Sequence, residues 1–182
     1  TQEGIYEHYK AIANSTDLPI ILYNVPGRTA SNIRATTTLQ LAHDFKNIIG
    51  IKEASNDWQQ IFWLAREKPA GFYLISGNDD LIVPQISIGY DGVISVIANA
   101  LPKQFSSMVH QALAGDFTSA RKTVYELDEL ITYLFEQGNP AGVKATMKYL
   151  GVCDDPVRLP LMPINLELSN RIEKKLKSMH LL

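Results

Sequence analysis

The sequence has a single cysteine, Cys153, and no apolar run that approaches the length of a membrane-spanning helix. One cysteine cannot form an internal disulfide, and such scarcity fits a reducing compartment. A membrane span needs about 20 apolar residues, and no secretory pattern opens the chain. These absences argue against a membrane protein and a disulfide-stabilised secreted domain, and we expect a cytoplasmic protein.

The chain also lacks an excess of charge of either sign. Its formal net charge is -2 and its pI is about 6.1, with 46% hydrophobic and 20% charged residues. This balance gives no electrostatic basis for binding nucleic acid or an anionic membrane. At 182 residues the chain is long enough for one sizeable core.

No metal or cofactor site is predicted. There is no glycine-rich phosphate loop, and Cys153 has no partner cysteine. Asp79 and Asp80 could hold a divalent cation, but acidic residues that open a helix are more often caps. The histidines lack metal-ligand spacing; they are His8, His43, His110 and His180.

What the sequence does contain is four short apolar runs, each followed by a helical pattern. The runs are residues 19–25, 48–55, 72–76 and 92–97. Strands that alternate with helices and are almost wholly apolar predict a parallel sheet covered by helices. The unit repeats every 20 to 30 residues or so, as in β/α barrels, and four strands make half of such a barrel.

Beyond Gly115 the pattern changes to helices alone. They are predicted over residues 117–135, 140–150 and 166–179. The fold class is therefore α/β: residues 1–115 are expected to form the C-terminal half of a (β/α)8 TIM barrel, and residues 116–182 a helical domain. The chain starts at Thr1 without a methionine and enters a helical pattern at once, so we expect it to be part of a longer protein.

One lysine lies inside an apolar strand. In residues 48–55, side-chain alternation places Gly50 and Lys52 on one face and Glu53 on the other, so Glu53 is not the natural ion-pair partner of Lys52. Only a neutral amine attacks a carbonyl, and apolar surroundings favour the neutral form. Lys52 is therefore a candidate Schiff-base lysine. The alternative is a lysine that extends its amine into solvent and forms no covalent bond.

Other candidate residues follow the neighbouring strands. Active sites of α/β barrels lie at the C-terminal ends of the strands, where this sequence has Tyr23, Arg28, Gly77 and Ile94. A tyrosine phenol can relay protons, and an arginine guanidinium suits a carboxylate. Taken singly, Tyr23 could equally be a core aromatic residue and Arg28 a surface charge.

Several motifs together carry a family resemblance. They are Tyr-Asn-Val-Pro-Gly-Arg-Thr (23–29), Gly-Ile-Lys-Glu-Ala-Ser (50–55), Ser-Gly-Asn-Asp (76–79), Gly-Val-Ile-Ser-Val (92–96), Asn139-Pro140 with Lys144, and Arg158-Leu159-Pro160. In this order and spacing they resemble the dihydrodipicolinate synthase family, also called 4-hydroxy-tetrahydrodipicolinate synthases. The resemblance extends over essentially the whole chain.

This resemblance implies a class I aldolase-type enzyme on a TIM barrel. Such an enzyme condenses pyruvate with L-aspartate 4-semialdehyde in lysine and diaminopimelate biosynthesis, without metal or cofactor. By motif match, Lys52 would form the Schiff base and Tyr23 would relay protons. Arg28 would hold the carboxylate of the semialdehyde, and the backbone at Gly77 and Ile94 would line the pyruvate pocket. Family members are usually homotetramers, so a homo-oligomer is expected.

The sequence also departs from the family pattern. The family's Thr-Thr-Gly-Glu-like stretch, which binds the pyruvate carboxylate, and a tyrosine that reaches in from a neighbouring subunit both lie before the position that matches Thr1. We therefore expect the last four βα units and the helical tail, without the first four strands. Such a chain alone is expected to be inactive or to pair with another half. Ala30 stands where the family commonly has glycine.

Two other functions remain open from the sequence. N-acetylneuraminate lyase or another pyruvate-dependent aldolase shares the lysine and the tyrosine, although Arg28 and the Gly-Val-Ile-Ser-Val motif favour the synthase. From a different class, the chain could be a non-catalytic fragment that serves in oligomerisation.

Overall fold

The computed structural model describes residues Thr1–Leu182, which form two compact units, Thr1–Ile94 and Ser95–Leu182. None of its helices combines the length and the apolar character that crossing a membrane requires. The predicted division of the chain into a barrel part and a helical domain at Gly115 stays a prediction.

A four-stranded parallel sheet forms the centre of the first unit, as predicted. Its strands follow one another in the order β1-β2-β3-β4, so that β1 and β4 are the edges. The strands are β1 (Ile20–Asn24), β2 (Ile48–Glu53), β3 (Tyr73–Ser76) and β4 (Gly92–Val93). Because all four are parallel, their carboxyl ends lie at one edge of the sheet.

Helices connect these strands. They are α1 (Gln2–Asn14), α2 (Pro26–Thr29), α3 (Ala35–Asp44), α4 (Trp58–Glu67) and α5 (Ile82–Ser87). The side chain of Asp57 caps α4 by accepting hydrogen bonds from two backbone N–H groups of its first turn. Pro26 and Gly27, expected to form only a turn, begin the four-residue helix α2, which ends at Ala30 in the left-handed conformation, with a φ of 54°.

The two faces of the sheet differ in their cover. Leu22, Ile51 and Leu74 lie on one face and are completely buried among apolar residues of the helices, such as Leu41 and Leu64. The opposite face is open and presents four large apolar side chains, each about half exposed. These are Ile21, Tyr23, Tyr73 and Ile94. Lys52 lies on this open face, because it is in register with Tyr23 on one side and Ile75 on the other.

The fourth strand is shorter than predicted. The sequence predicts a strand over residues 92–97, but β4 ends at Val93 and only the N–H of Ile94 continues the pairing, donating to the carbonyl of Ser76 at 3.0 Å. The hydroxyl of Ser95 accepts the N–H of Ala98 and starts a turn of 3₁₀ helix instead. A local side-chain cap has thus replaced the sheet ladder.

The second unit is helical. After the 3₁₀ turn at Ile97–Asn99 come α6 (Pro102–Leu113), α7 (Phe117–Glu136), α8 (Ala141–Tyr149) and α9 (Leu166–Ser178). The predicted stripe of α6 is buried at Phe105, Met108, Val109 and Ala112. Leu113 was expected on the same face but is 48% exposed, because α6 ends there and the chain turns away through Gly115.

Candidate functional site

Lys52 and Tyr23 lie side by side at the carboxyl end of the sheet. They are register partners on β2 and β1, and the amine of Lys52 is 4.4 Å from the centre of the Tyr23 ring. This is the range of a cation–π contact. Lys52 is half-buried and Tyr23 is 45% exposed. The structure therefore brings together the amine and the phenol that the sequence singled out.

Gly77 borders the other side of the lysine. Its N–H donates to the carbonyl of Glu53 at 2.7 Å, so the chain after β3 continues alongside β2. A Cβ atom at position 77 would lie 2.5 Å from Cβ of Ala54 and 3.2 Å from Cε of Lys52. Only glycine lets the backbone pass this close to the lysine side chain.

Ile94 occupies the corresponding place after β4. Gly92 pairs with Ile75, which pairs with Lys52, and Ile94 lies two residues further toward the carboxyl edge. Its side chain is 51% exposed on the open face. The structure thus places Ile94 at the same edge and on the same face as Lys52, two strands away.

Arg28 lies in α2, directly after β1. Its N–H donates to the carbonyl of Val25 at 2.9 Å, within the turn that starts this short helix. Arg28 is exposed. Since the carboxyl ends of β1 and β2 meet at one edge, α2 is near the end of the strand that carries Lys52.

A buried polar network on the covered side of the sheet was not predicted. Glu53 and Asn24, which are register partners at the ends of β2 and β1, are buried and hydrogen-bonded to each other. Gln60 of α4 and Asn32 complete the network. The sequence did place Glu53 on the face opposite Lys52. The further signal was polar residues at two inward positions of otherwise apolar strands, because buried polar groups need partners.

A cavity of about 380 Å³ borders Tyr23 along the edge strand β1. Its walls come from α1, β1 and the residues that follow α2, and they include Tyr9, whose pKa is raised by burial. Lys52 and Gly77 do not line it. The proposed chemistry therefore belongs to the open sheet face and not to this cavity.

Acidic residues do not converge on a cation site. No group of three or more histidine, cysteine, aspartate or glutamate side chains has a geometry that could hold a metal ion. Asp79 and Asp80, the one pair that the sequence offered, diverge: the first is buried and the second exposed.

Comparison with known proteins gives a consistent result. Residues 1–179 match the Dihydrodipicolinate synthetase family. The chain is 55% identical over 163 residues to the 4-hydroxy-tetrahydrodipicolinate synthase of Phocaeicola vulgatus, covering 90% of this chain and 55% of that protein.

Solved structures agree over the whole chain. The dihydrodipicolinate synthase of Thermotoga maritima superposes with a TM-score of 0.96 at 39% identity, covering 100% of this chain and 63% of that one. The chloride-inhibited dihydrodipicolinate synthase of Acinetobacter baumannii, complexed with pyruvate, gives a TM-score of 0.94 at 37% identity, covering 100% of this chain and 62% of that one. The chain therefore spans 55% to 63% of the length of these relatives.

Proposed function

The chain belongs to the dihydrodipicolinate synthetase family, and we propose that Lys52 forms a Schiff base with pyruvate, which then condenses with L-aspartate 4-semialdehyde to give 4-hydroxy-tetrahydrodipicolinate. The observation that carries the proposal is the position of the Lys52 amine, held between the ring of Tyr23 and the backbone of Gly77 at the carboxyl end of a parallel sheet. This is the edge at which β/α barrels carry their active sites.

The surroundings of Lys52 suit covalent chemistry. Its amine forms no ion pair, whereas Lys68 of the same unit is bound to Asp91 at 2.8 Å. No carboxylate has to be displaced when the Lys52 amine bonds to a carbonyl carbon. The pyruvate held by the relative from Acinetobacter baumannii supports this keto acid as the first substrate.

The proposed reaction proceeds through an imine and an enamine. The Lys52 amine adds to the keto carbon of pyruvate, and the oxygen leaves as water. Loss of a proton from the methyl carbon then gives an enamine, whose carbon attacks the aldehyde of the second substrate. The amine of that substrate finally displaces Lys52 from the imine carbon, which closes the ring and restores the lysine.

The remaining residues have supporting roles in the proposal. The phenol of Tyr23 carries protons to and from the intermediates, because its ring lies against the reacting amine. Arg28 binds the carboxylate of the semialdehyde through its guanidinium. The backbone at Gly77 and Ile94 lines the site of the bound keto acid. Substituting Arg28 should then damage use of the semialdehyde more than formation of the pyruvate imine.

The proposal concerns an assembled, cytoplasmic protein in lysine and diaminopimelate biosynthesis. The open face around Lys52 leaves Ile21, Tyr23, Tyr73 and Ile94 exposed, and apolar patches of this kind mark association surfaces. We expect the chain to form homo-oligomers, and we expect low turnover from a single copy in dilute solution. Sedimentation measured together with turnover over a range of concentrations tests both expectations.

Trapping the imine tests the function. Incubation with pyruvate and borohydride, followed by intact-mass measurement, should give one reduced adduct per chain. Adding L-aspartate 4-semialdehyde before the borohydride should lower the adduct yield, because condensation consumes the enamine. If N-acetylmannosamine lowers the yield and the semialdehyde does not, the substrate is that of N-acetylneuraminate lyase. An absence of adduct in the wild-type chain contradicts the proposed chemistry.

A further inference from the structure

Glu53 is a fully buried carboxylate with no cation beside it. It directly follows Lys52 but faces the opposite, helix-covered side of the sheet. All of its hydrogen bonds come from N–H groups: Ser55 N–H at 2.6 Å, the amide of Asn24 at 3.0 Å to both oxygens, and the amide of Gln60 at 2.9 Å. Both carboxylate oxygens therefore act only as acceptors.

Two backbone groups fix the direction of every hydrogen bond in this network. The N–H of Ile33 donates to Oδ1 of Asn24 at 2.9 Å, so Nδ2 of Asn24 must point the other way and donate to Oδ1 of Asn32, at 2.8 Å, and to Glu53. Since Oδ1 of Asn32 is then an acceptor, its Nδ2 donates to Oε1 of Gln60 at 3.1 Å. A backbone N–H cannot be reversed, and none of the amides can be rotated without placing two donors together.

The central position therefore requires two acceptor atoms. At Oε2 the amides of Asn24 and Gln60 both donate, and at Oε1 the N–H of Ser55 and the amide of Asn24 donate. An amide group at position 53 would bring its NH₂ against donors at either place, and buried groups left without a partner are costly. The chemistry of the network thus specifies glutamate here.

The network joins both ends of one segment to β2. We use the name Arg28 segment for residues 25–32, which leave β1 after Asn24 and return at Ile33. Asn24 holds the start of the Arg28 segment, and Asn32 and the N–H of Ile33 hold its end. Glu53 connects this closure to the residue next to Lys52 and, through Gln60, to α4.

Resting on the proposed function, we propose that Glu53 is a positioning residue that fixes the Arg28 segment against the strand carrying Lys52 and thereby sets the site that binds the carboxylate of the aldehyde substrate. It does so through hydrogen bonds on the covered side of the sheet and touches neither substrate. Its loss should loosen residues 25–32 and impair use of the aldehyde, while the Lys52 amine remains in place on the other face.

Amide hydrogen exchange of the full chain, read by mass spectrometry, tests the positioning role. In Glu53→Gln, exchange of peptides that cover the Arg28 segment and Ile33 should be at least about tenfold faster, with peptides from α7 and α9 unchanged. Glu67→Gln, which removes an exposed carboxylate at the end of α4, is the matched control and should leave the Arg28 segment unchanged.

A swap of the carboxylate and the amide provides a rescue. Gln60→Glu alone places two carboxylates together and should also loosen the Arg28 segment. In the double variant, an amide at position 53 can donate to a carboxylate at position 60 and accept from Ser55, so that only the 3.2 Å contact of Gln60 with Asn32 is lost. Exchange should return to within about threefold of the wild type. Singles that leave exchange unchanged, or a double variant as loose as the sum of the singles, overturn the proposal.

Imine trapping separates this inference from the proposed function. Glu53→Gln should form the reduced pyruvate adduct to within about threefold of the wild type but should need at least about tenfold more semialdehyde to suppress it. If wild-type protein forms no adduct, the proposed function fails, and the exchange data still decide whether Glu53 holds the Arg28 segment. If the adduct forms normally and the semialdehyde requirement of Glu53→Gln is unchanged, the positioning role is wrong.

Discussion

Gly77 and Lys52 are so close that a methyl group at position 77 would lie 3.2 Å from Cε of the lysine and 2.5 Å from Cβ of Ala54. The second distance is shorter than non-bonded carbon atoms tolerate. Because the Gly77 N–H is also bound to the carbonyl of Glu53, the chain after β3 cannot move away from β2 without breaking that hydrogen bond. The conformation of the lysine side chain is therefore linked to the absence of a side chain at position 77.

Gly77→Ala should reduce adduct formation with pyruvate by at least about tenfold, because the new methyl group displaces the lysine side chain or the strand end. Overpacking of this kind costs about 1–3 kcal/mol of stability, so circular dichroism should still show a folded chain. Gly92→Ala is the control, since a Cβ atom there meets nothing within 4 Å. Equal adduct yields from both variants would show that Gly77 does not constrain Lys52.

Ala30→Gly should stabilise the protein by about 0.5–1 kcal/mol. Ala30 ends α2 with a φ of 54°, a conformation that glycine adopts without the steric penalty that alanine incurs. Chemical denaturation measures the change. Ala11→Gly, at an exposed position inside α1, should instead destabilise by about 0.5–1 kcal/mol. Two changes of the same sign would contradict the assignment of strain to Ala30.

Gly142→Ala should destabilise the helical unit by about 2 kcal/mol or more. A Cβ atom at this position of α8 would lie 2.5 Å from the carbonyl oxygen of Leu134 and 2.7 Å from its Cα. These are backbone atoms of α7, which can give way only if the two helices separate. Thermal unfolding should show a lower midpoint, whereas Gly27→Ala, with open space around the position, should change it little.

The pH dependence of the helical unit should reflect Glu129. The hydroxyl of Tyr133, first, and the amine of Lys175 hold the pKa of this carboxyl below its ordinary value of 4.5. A lowered pKa means that the stabilisation is complete above the unfolded-state pKa and is lost as the pH falls through the folded-state pKa. NMR titration of Tyr133→Phe should show the pKa of Glu129 moving back up.

Two controls accompany that titration. Glu126→Gln, an exposed position on the same helix, should leave the Glu129 titration where it is. Unfolding of Tyr133→Phe should also depend less on pH in the acid range than unfolding of the wild type. An unchanged pKa in Tyr133→Phe would show that the hydroxyl is not the main cause of the shift.

The parallel sheet could be predicted from sequence because its strands are buried on one face and apolar throughout. The runs around Leu22, Ile51 and Leu74 needed only length and flanking turn residues for correct assignment. Helix starts at Asp57 and Pro102 were also legible, since the cap and the helix-opening proline act locally. The end of β4 was not, because the Ser95 hydroxyl competes with the sheet for the chain.

The candidate site could be predicted only in part. Alternation along β2 separates Lys52 from Glu53, and the strand-end rule brings Tyr23 and Gly77 to the same edge. The network around Glu53 depends on Asn32 and Gln60, whose side chains meet across 28 residues of sequence. No local pattern encodes such a contact, so it required the three-dimensional structure.

The most direct test of the account locates the covalent bond. After treatment with pyruvate and borohydride, peptide mapping should place the reduced adduct on Lys52 alone, and Lys52→Arg should abolish it while Lys68→Arg, in the same unit, retains it. An adduct that is spread over surface lysines, or that survives in Lys52→Arg, would contradict the assignment of Lys52 as the Schiff-base lysine.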